Sequence, residues 1–174
     1  MYGDSPLVAS KRALEEAVRA SGMDWTNFVG NFFMEVWLSP ALGFDPANRR
    51  ATLFGGGEGA NSWVSFFDLA KAAGRAAHTP EAPRQVFHAA GPEALSLKEV
   101  TSIFERSLGA EFERVVVPIE ALEEQSRQAA DPLQKTFAEL QLACARGVRM
   151  DPQPFAQTFS LELTSVADYA RNYA

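Results

Sequence analysis

Residues 5–33, SPLVASKRALEEAVRASGMDWTNFVGNFF, dictate an order of elements: a capped helix, then a buried strand, then a turn. Ser5 is a good N-cap, Pro6 falls at the first helical position where its missing N–H costs nothing, and Gly22 closes the helix. Leu7, Leu14 and Val18 recur at i, i+7 and i+11, and Lys11 falls at i+4 on the same apolar stripe. A lysine there has two readings. Its aliphatic stem lies along the stripe while the ammonium escapes to water, or it points into a cleft and meets a ligand. The run from Asp24 to Val29 is of strand length and ends at Gly30, where a ligand can lie against the strand's carboxyl end, and that favours the ligand.

These pieces resemble the later half of the NmrA-like, atypical short-chain dehydrogenase/reductase proteins, in which a lysine-bearing helix leads through Ser-Gly-x-x-x-Thr to a strand and an x-Pro-x-x-Phe turn. The matching residues are Lys11, Glu15, Ser21-Gly22, Thr26 and Gly30-Asn31-Phe32-Phe33, with further likeness in Asn61–Ala73 and Ala89–Glu105. The resemblance implies one α/β domain over residues 1–174, a partial Rossmann-like parallel sheet with helices plus the family's C-terminal substrate-binding elements. It implies an NAD(P)H-dependent oxidoreductase acting on a small carbonyl-type or similar reducible substrate, with Lys11 catalytic and Gly30, Asn31 and Phe32 at the cofactor. Phe33, Trp37, Trp63 and Phe66 are then the substrate pocket, and a homo-oligomer is expected. Two departures stand out: Val29-Gly30 replaces the common Arg-Pro pair, and Leu7 occupies the position four before Lys11 where many relatives carry a catalytic tyrosine. No strand–Gly-x-x-Gly-x-x-Gly–helix unit occurs in these residues, so the chain reads as a reductase without its front half, and its own hold on NAD(P)H is expected to be weak.

Charge and composition narrow the partners. With 174 residues, 47% hydrophobic and 22% charged, the chain suffices for one sizeable core, and a net charge of −6 disfavours a nucleic-acid backbone or an anionic membrane. No run approaches the roughly 18 apolar residues of a membrane span, and the start lacks the apolar stretch of a signal peptide, so a cytoplasmic protein is expected. Cys144 stands alone as a small core residue, and two separated histidines suggest no metal site.

Along the rest of the chain, Phe32, Phe33, Met34 and Trp37 supply either core packing or the wall of an apolar pocket. Gly55–Gly59 precedes an extended segment and reads as a turn, not a phosphate cradle. Ser65-Phe66-Phe67-Asp68 and Ser96-Leu97-Lys98-Glu99 have capping-box spacing, which makes Asp68 a cap. His88 lies in a strand, without an acidic neighbour in sequence, and reads as structural. Phe112–Val117 is a strand, Asp131-Pro132 opens another helix, residues 150–160 read as a loop, and Ser165 caps a last short helix. Three functions fit: the reductase, a non-catalytic redox-sensing relative, or an α/β module binding an apolar ligand or a protein.

Overall fold

The structure, a computed structural model, describes residues 6–30 and 32–173, so the expected N-cap Ser5 and turn residue Asn31 lie outside the described residues. Helix α1 (Pro6–Ala20) begins at its proline, and Gly22 beyond it takes a φ of +75°, the left-handed conformation that suits glycine. Strands β1 (Thr26–Gly30) and β2 (Phe32–Phe33) follow, then one helical turn, α2 (Met34–Trp37). A hairpin of β3 (Phe44–Asp45) and β4 (Arg50–Phe54) leads through the turn Gly55–Gly57 to β5 (Ala60–Val64) and α3 (Phe66–Ala76). Next come β6 (Gln85–Ala89), β7 (Ala94–Ser96), α4 (Leu97–Leu108), β8 (Glu113–Val117), α5 (Ile119–Gln128), α6 (Pro132–Arg146), α7 (Gln153–Thr158) and α8 (Val166–Ala170).

The architecture is α/β, with parallel pairing at β1–β6, β2–β5 and β4–β8 and antiparallel pairing at β3–β4 and β5–β7. The larger core gathers Phe32, Met34, Trp37, Phe44, Leu53, Phe104 and Leu142; a smaller one holds Phe155, Phe159, Val64 and Ala72, with Phe28, Phe33 and Phe87 packed against it. Phe155 belongs to α7, inside the stretch expected to be a loop. The two prolines there do not break the helix, because Pro152 is its N-cap and Pro154 lies in its first turn, where no N–H is required. Among the described residues no helix is long and apolar enough to cross a membrane.

Caps hold the helices as the sequence suggests, with one exception. Ser96 with Glu99 and Ser165 with Asp168 form reciprocal capping boxes, and Asp131 Oδ1 accepts from the N–H groups of Leu133 and Gln134. Ser65 caps α3, but Asp68 does not answer it. Its carboxylate is buried and accepts from the Thr164 N–H at 2.7 Å, the Thr164 hydroxyl at 3.1 Å and the Lys71 ammonium at 3.1 Å. A buried carboxylate needs these donors; Thr164 lies 96 residues away in the C-terminal segment, and Lys71 three residues on in α3. Glu35 takes over at the cap, accepting from the Ser65 hydroxyl at 2.6 Å and the Phe66 N–H at 2.9 Å.

Candidate functional site

A cleft of about 620 Å³ opens between α1, the carboxyl ends of β1 and β6, and the segment Phe32–Trp37. Strand alternation decides what faces it. Val29 pairs with His88 and Phe28 with Phe87 across the parallel ladder, so the two pairs point to opposite faces. Phe28 and Phe87 go to the smaller core, with ring centroids 5.3 and 4.7 Å from Phe159. Val29, Val86 and His88 line the cleft. His88, expected to be structural, stands on the cleft wall, two residues after Val86 and hence on the same face.

Helix α1 supplies the opposite wall. Lys11, Glu15 and Arg19 are spaced at four residues, so they form one row along the helix, and all three line the cleft. Lys11 is exposed at the cleft and has no hydrogen-bond or ion-pair partner among the described residues. Leu7, one turn before it, also lines the cleft and brings no hydroxyl. Lys11 and Arg19 flank Glu15 in this row, two cations to one carboxylate, in a chain of net charge −6.

The aromatic end depends on a glycine. A Cβ at Gly30 would stand 2.2 Å from Cζ of Phe33, so the absence of a side chain is what lets the Phe33 ring fold over the end of β1. Phe33 packs on Phe66 with centroids 4.3 Å apart and the rings tilted by 37°, and Phe66 is itself tied to Glu35 through its N–H. Phe32 and Trp37 meet edge-to-face at 4.7 Å; both are mostly core and show only part of their surface to the cleft. Of the expected pocket residues, Phe33 and Trp37 line the cleft together with Gly30 and Phe32, while Phe66 touches it through Phe33. Trp63 does not line it. It is 1% exposed, its indole N–H donates to the Leu95 carbonyl at 2.8 Å, and it stands behind Phe32 in the core. Asn31, expected beside them, lies outside the described residues.

Gly55–Gly57 lies apart from this cleft and is a tight turn between β4 and β5. A Cβ at Gly55 would come within 2.7 Å of that of Ala145, and one at Gly59 within 2.4 Å of the Ala145 carbonyl oxygen, so the loop packs on the end of α6 and leaves no cradle there. Cys144 is buried, and burial pushes its thiol pKa up, which suits an inert core residue. Among the described residues no group of three or more His, Cys, Asp or Glu side chains is placed to hold a metal ion.

No family model matches the chain. It is 29% identical over 145 residues to an isoflavone reductase homolog of Zea mays, an alignment covering 81% of this chain and 47% of that protein. It is 30% identical over 128 residues to an NAD(P)H azoreductase of Xenophilus azovorans, covering 72% of this chain and 43% of that protein. The crystal structure of an isoflavone reductase superposes on 97% of this chain and 60% of its own, with a TM-score of 0.74 at 19% identity, a likeness of fold. The chain spans about half the length of the curated relatives it matches. Those relatives are an isoflavone reductase homolog and an NAD(P)H azoreductase, and this chain shares the α/β, Rossmann-type fold of the isoflavone reductase structure.

Proposed function

We propose that the chain forms the lysine-and-aromatic side of the active site of an NAD(P)H-dependent oxidoreductase, corresponding to the later part of such a protein and reducing a small carbonyl-type or similarly reducible molecule in the cytoplasm. The observation that carries this reading is the Lys11 ammonium, without a partner among the described residues, at an aromatic cleft over the carboxyl ends of two parallel strands. The residues present suit the nicotinamide end of the cofactor: Gly30 allows close approach, and Val29, Phe32 and Phe33 offer an apolar wall. Among the described residues nothing comparable is offered to its pyrophosphate, since the glycine-rich turn Gly55–Gly57 is packed against α6. NAD(P)H, when bound, supplies a hydride. Lys11 then serves as the donor for a ribose or carbonyl oxygen, and its charge stabilises negative charge developing on that oxygen. His88 is a second group able to give or take a proton, and Phe33 and Trp37 hold a flat substrate and exclude water.

Leu7 favours a second reading, a non-catalytic module that binds the cofactor or a ligand and reports redox state, because among the described residues that line the cleft none brings a hydroxyl for Lys11 to activate. One experiment separates the two. NADPH oxidation by the purified chain is followed with a quinone and an azo compound as acceptors, beside NADPH and acceptor binding, for wild type and Lys11→Ala. The reductase reading expects turnover to fall about a hundredfold in the variant, the scale of losing one charge-stabilising donor, with an unchanged unfolding midpoint. Ligand binding that depends on Lys11, with no turnover, selects the second reading. Unchanged binding and activity, with only lowered stability, overturns both and leaves Lys11 as a lysine lying along its helix.

A further inference from the structure

Charge is distributed unevenly along the main cleft. Helix α1 turns back into β1 through residues 21–25, so its carboxyl end lies beside the start of that strand and its amino end beside the finish. The lining residues follow this order. Glu15 and Arg19 also line a small chamber whose other side is Trp25, Thr26 and Asn27, and the Arg19 guanidinium is held over the Trp25 ring, 5.0 Å from its centroid. The foot of the cleft therefore carries one carboxylate and one guanidinium. Lys11 stands one turn, about 6 Å, nearer the amino end of α1, level with the carboxyl end of β1. There His88, the register partner of Val29, lines the strand wall, and Phe33 and Trp37 line the aromatic one. Glu15 is the one acidic side chain among the described residues that line the cleft, so this upper end has a cation and no carboxylate of its own. The Lys11 and His88 side chains are both exposed there, and neither has a hydrogen-bond or ion-pair partner among the described residues.

We infer that the upper end of the cleft is a subsite for an anionic oxygen group, and that the ligand class it selects is a planar aromatic carboxylate whose ring lies against Phe33 and Trp37. The Lys11 ammonium donates to one carboxylate oxygen and the His88 imidazole N–H, from the opposite wall, to the group as well. A charge-assisted hydrogen bond is about twice as strong as a neutral one, so a cation without a counter-ion discriminates in favour of the acid over its uncharged amide. Lys11 has three N–H groups, and holding a carboxylate leaves donors for a reacting oxygen beside it. A cleft of about 620 Å³ has room for a two-ring acid. The inference rests on the reading of this cleft as a ligand site and adds to it a preference among ligands.

The test compares 2-naphthoate with 2-naphthamide, its uncharged counterpart of nearly the same shape, by ligand-observed NMR titration of the intact chain. Wild type is expected to bind the acid about tenfold more tightly than the amide, the difference between a charge-assisted and a neutral hydrogen bond. Lys11→Met, which keeps the stem and removes the charge, is expected to bring this ratio close to one, and Lys11→Arg to keep most of it. His88→Leu is expected to lower the ratio about threefold, the loss of one neutral donor. A wild-type ratio near one, or a ratio that neither Lys11→Met nor His88→Leu lowers, overturns the subsite and leaves the cleft standing as a ligand site. No binding of either probe to wild type overturns the cleft as a ligand site, and the subsite with it.

Discussion

Two glycines, Gly30 in the cleft and Gly91 in the core behind it, fail in different ways when given a side chain. At Gly30 the new Cβ meets the far end of the Phe33 ring, which can swing aside at the expense of its packing on Phe66. At Gly91 it meets backbone, 1.6 Å from the Trp63 carbonyl oxygen, and a strand cannot step aside as a ring can. Gly30→Ala is therefore expected to cost about 1 kcal/mol of stability while weakening ligand binding in the cleft, and Gly91→Ala about 3 kcal/mol with no selective effect on binding. Urea unfolding and a ligand titration on both variants check this; equal stability losses would mean that Phe33 is as fixed as the backbone. The sequence named Lys11, Gly30, Phe33 and Trp37, all of which line one cleft. The family resemblance put Trp63 in the same pocket, and an aromatic residue beside a turn looks alike in sequence whether it faces a ligand or the core. Only the Leu95 carbonyl, 32 residues away and bonded to its indole, distinguishes the two.

Helix ends were the most readable parts of the chain, because a cap is a contract between residues two or three apart. The Ser96–Glu99 box that opens α4 also carries a dependence on pH. The Ser96 N–H and hydroxyl both donate to Glu99 and hold its carboxyl below the usual glutamate range. A pKa depressed in the folded state adds stability above the ordinary value of about 4.3 and loses it as the pH falls through the lower folded value. Glu99→Gln should thus lower stability by about half a kcal/mol near neutral pH, a modest figure because the group is exposed, and converge with wild type in acid. Thermal unfolding from about pH 2 to about pH 7 measures the two curves; parallel curves would show that the charge contributes nothing. Where a cap's apparent partner was needed elsewhere, sequence reasoning failed. Asp68 has the right spacing from Ser65, but burial commits it to Thr164 and Lys71, and Glu35 replaces it from 30 residues upstream. The face of a strand is legible by parity, and His88 follows that rule, whereas which face becomes cleft and which becomes core depends on α1 and α7 arriving from opposite ends of the chain.

Helix α1 has an apolar stripe but buries none of its residues, which conflicts with the usual fate of such a stripe. It rests against α6 along part of its length, while Leu14 remains 65% exposed and Met23, just beyond the helix, 61%. Strand β1 alongside pairs with β6 alone among the described residues, so its ladder groups on the other edge are free to bond. An apolar helix face next to an open parallel strand is an arrangement that folded proteins cover, since apolar area left in water forgoes roughly 25 cal/mol per Å² and an open edge invites pairing. A second copy of the chain presents the same two features in the same order, and a two-fold contact would pair each with its counterpart. The chain is therefore expected to form a homodimer or larger oligomer through α1 and the start of β1, the region of residues 5–33. Light scattering across a dilution series should give at least twice the 19.0 kDa chain mass at micromolar concentration. Leu14→Lys combined with Met23→Lys, both on the exposed surface, should shift the mass toward that of one chain without lowering the unfolding midpoint by more than a few degrees. A wild-type chain that stays monomeric and well folded throughout the series would show that α1 tolerates its exposure and that the stripe serves the cleft alone.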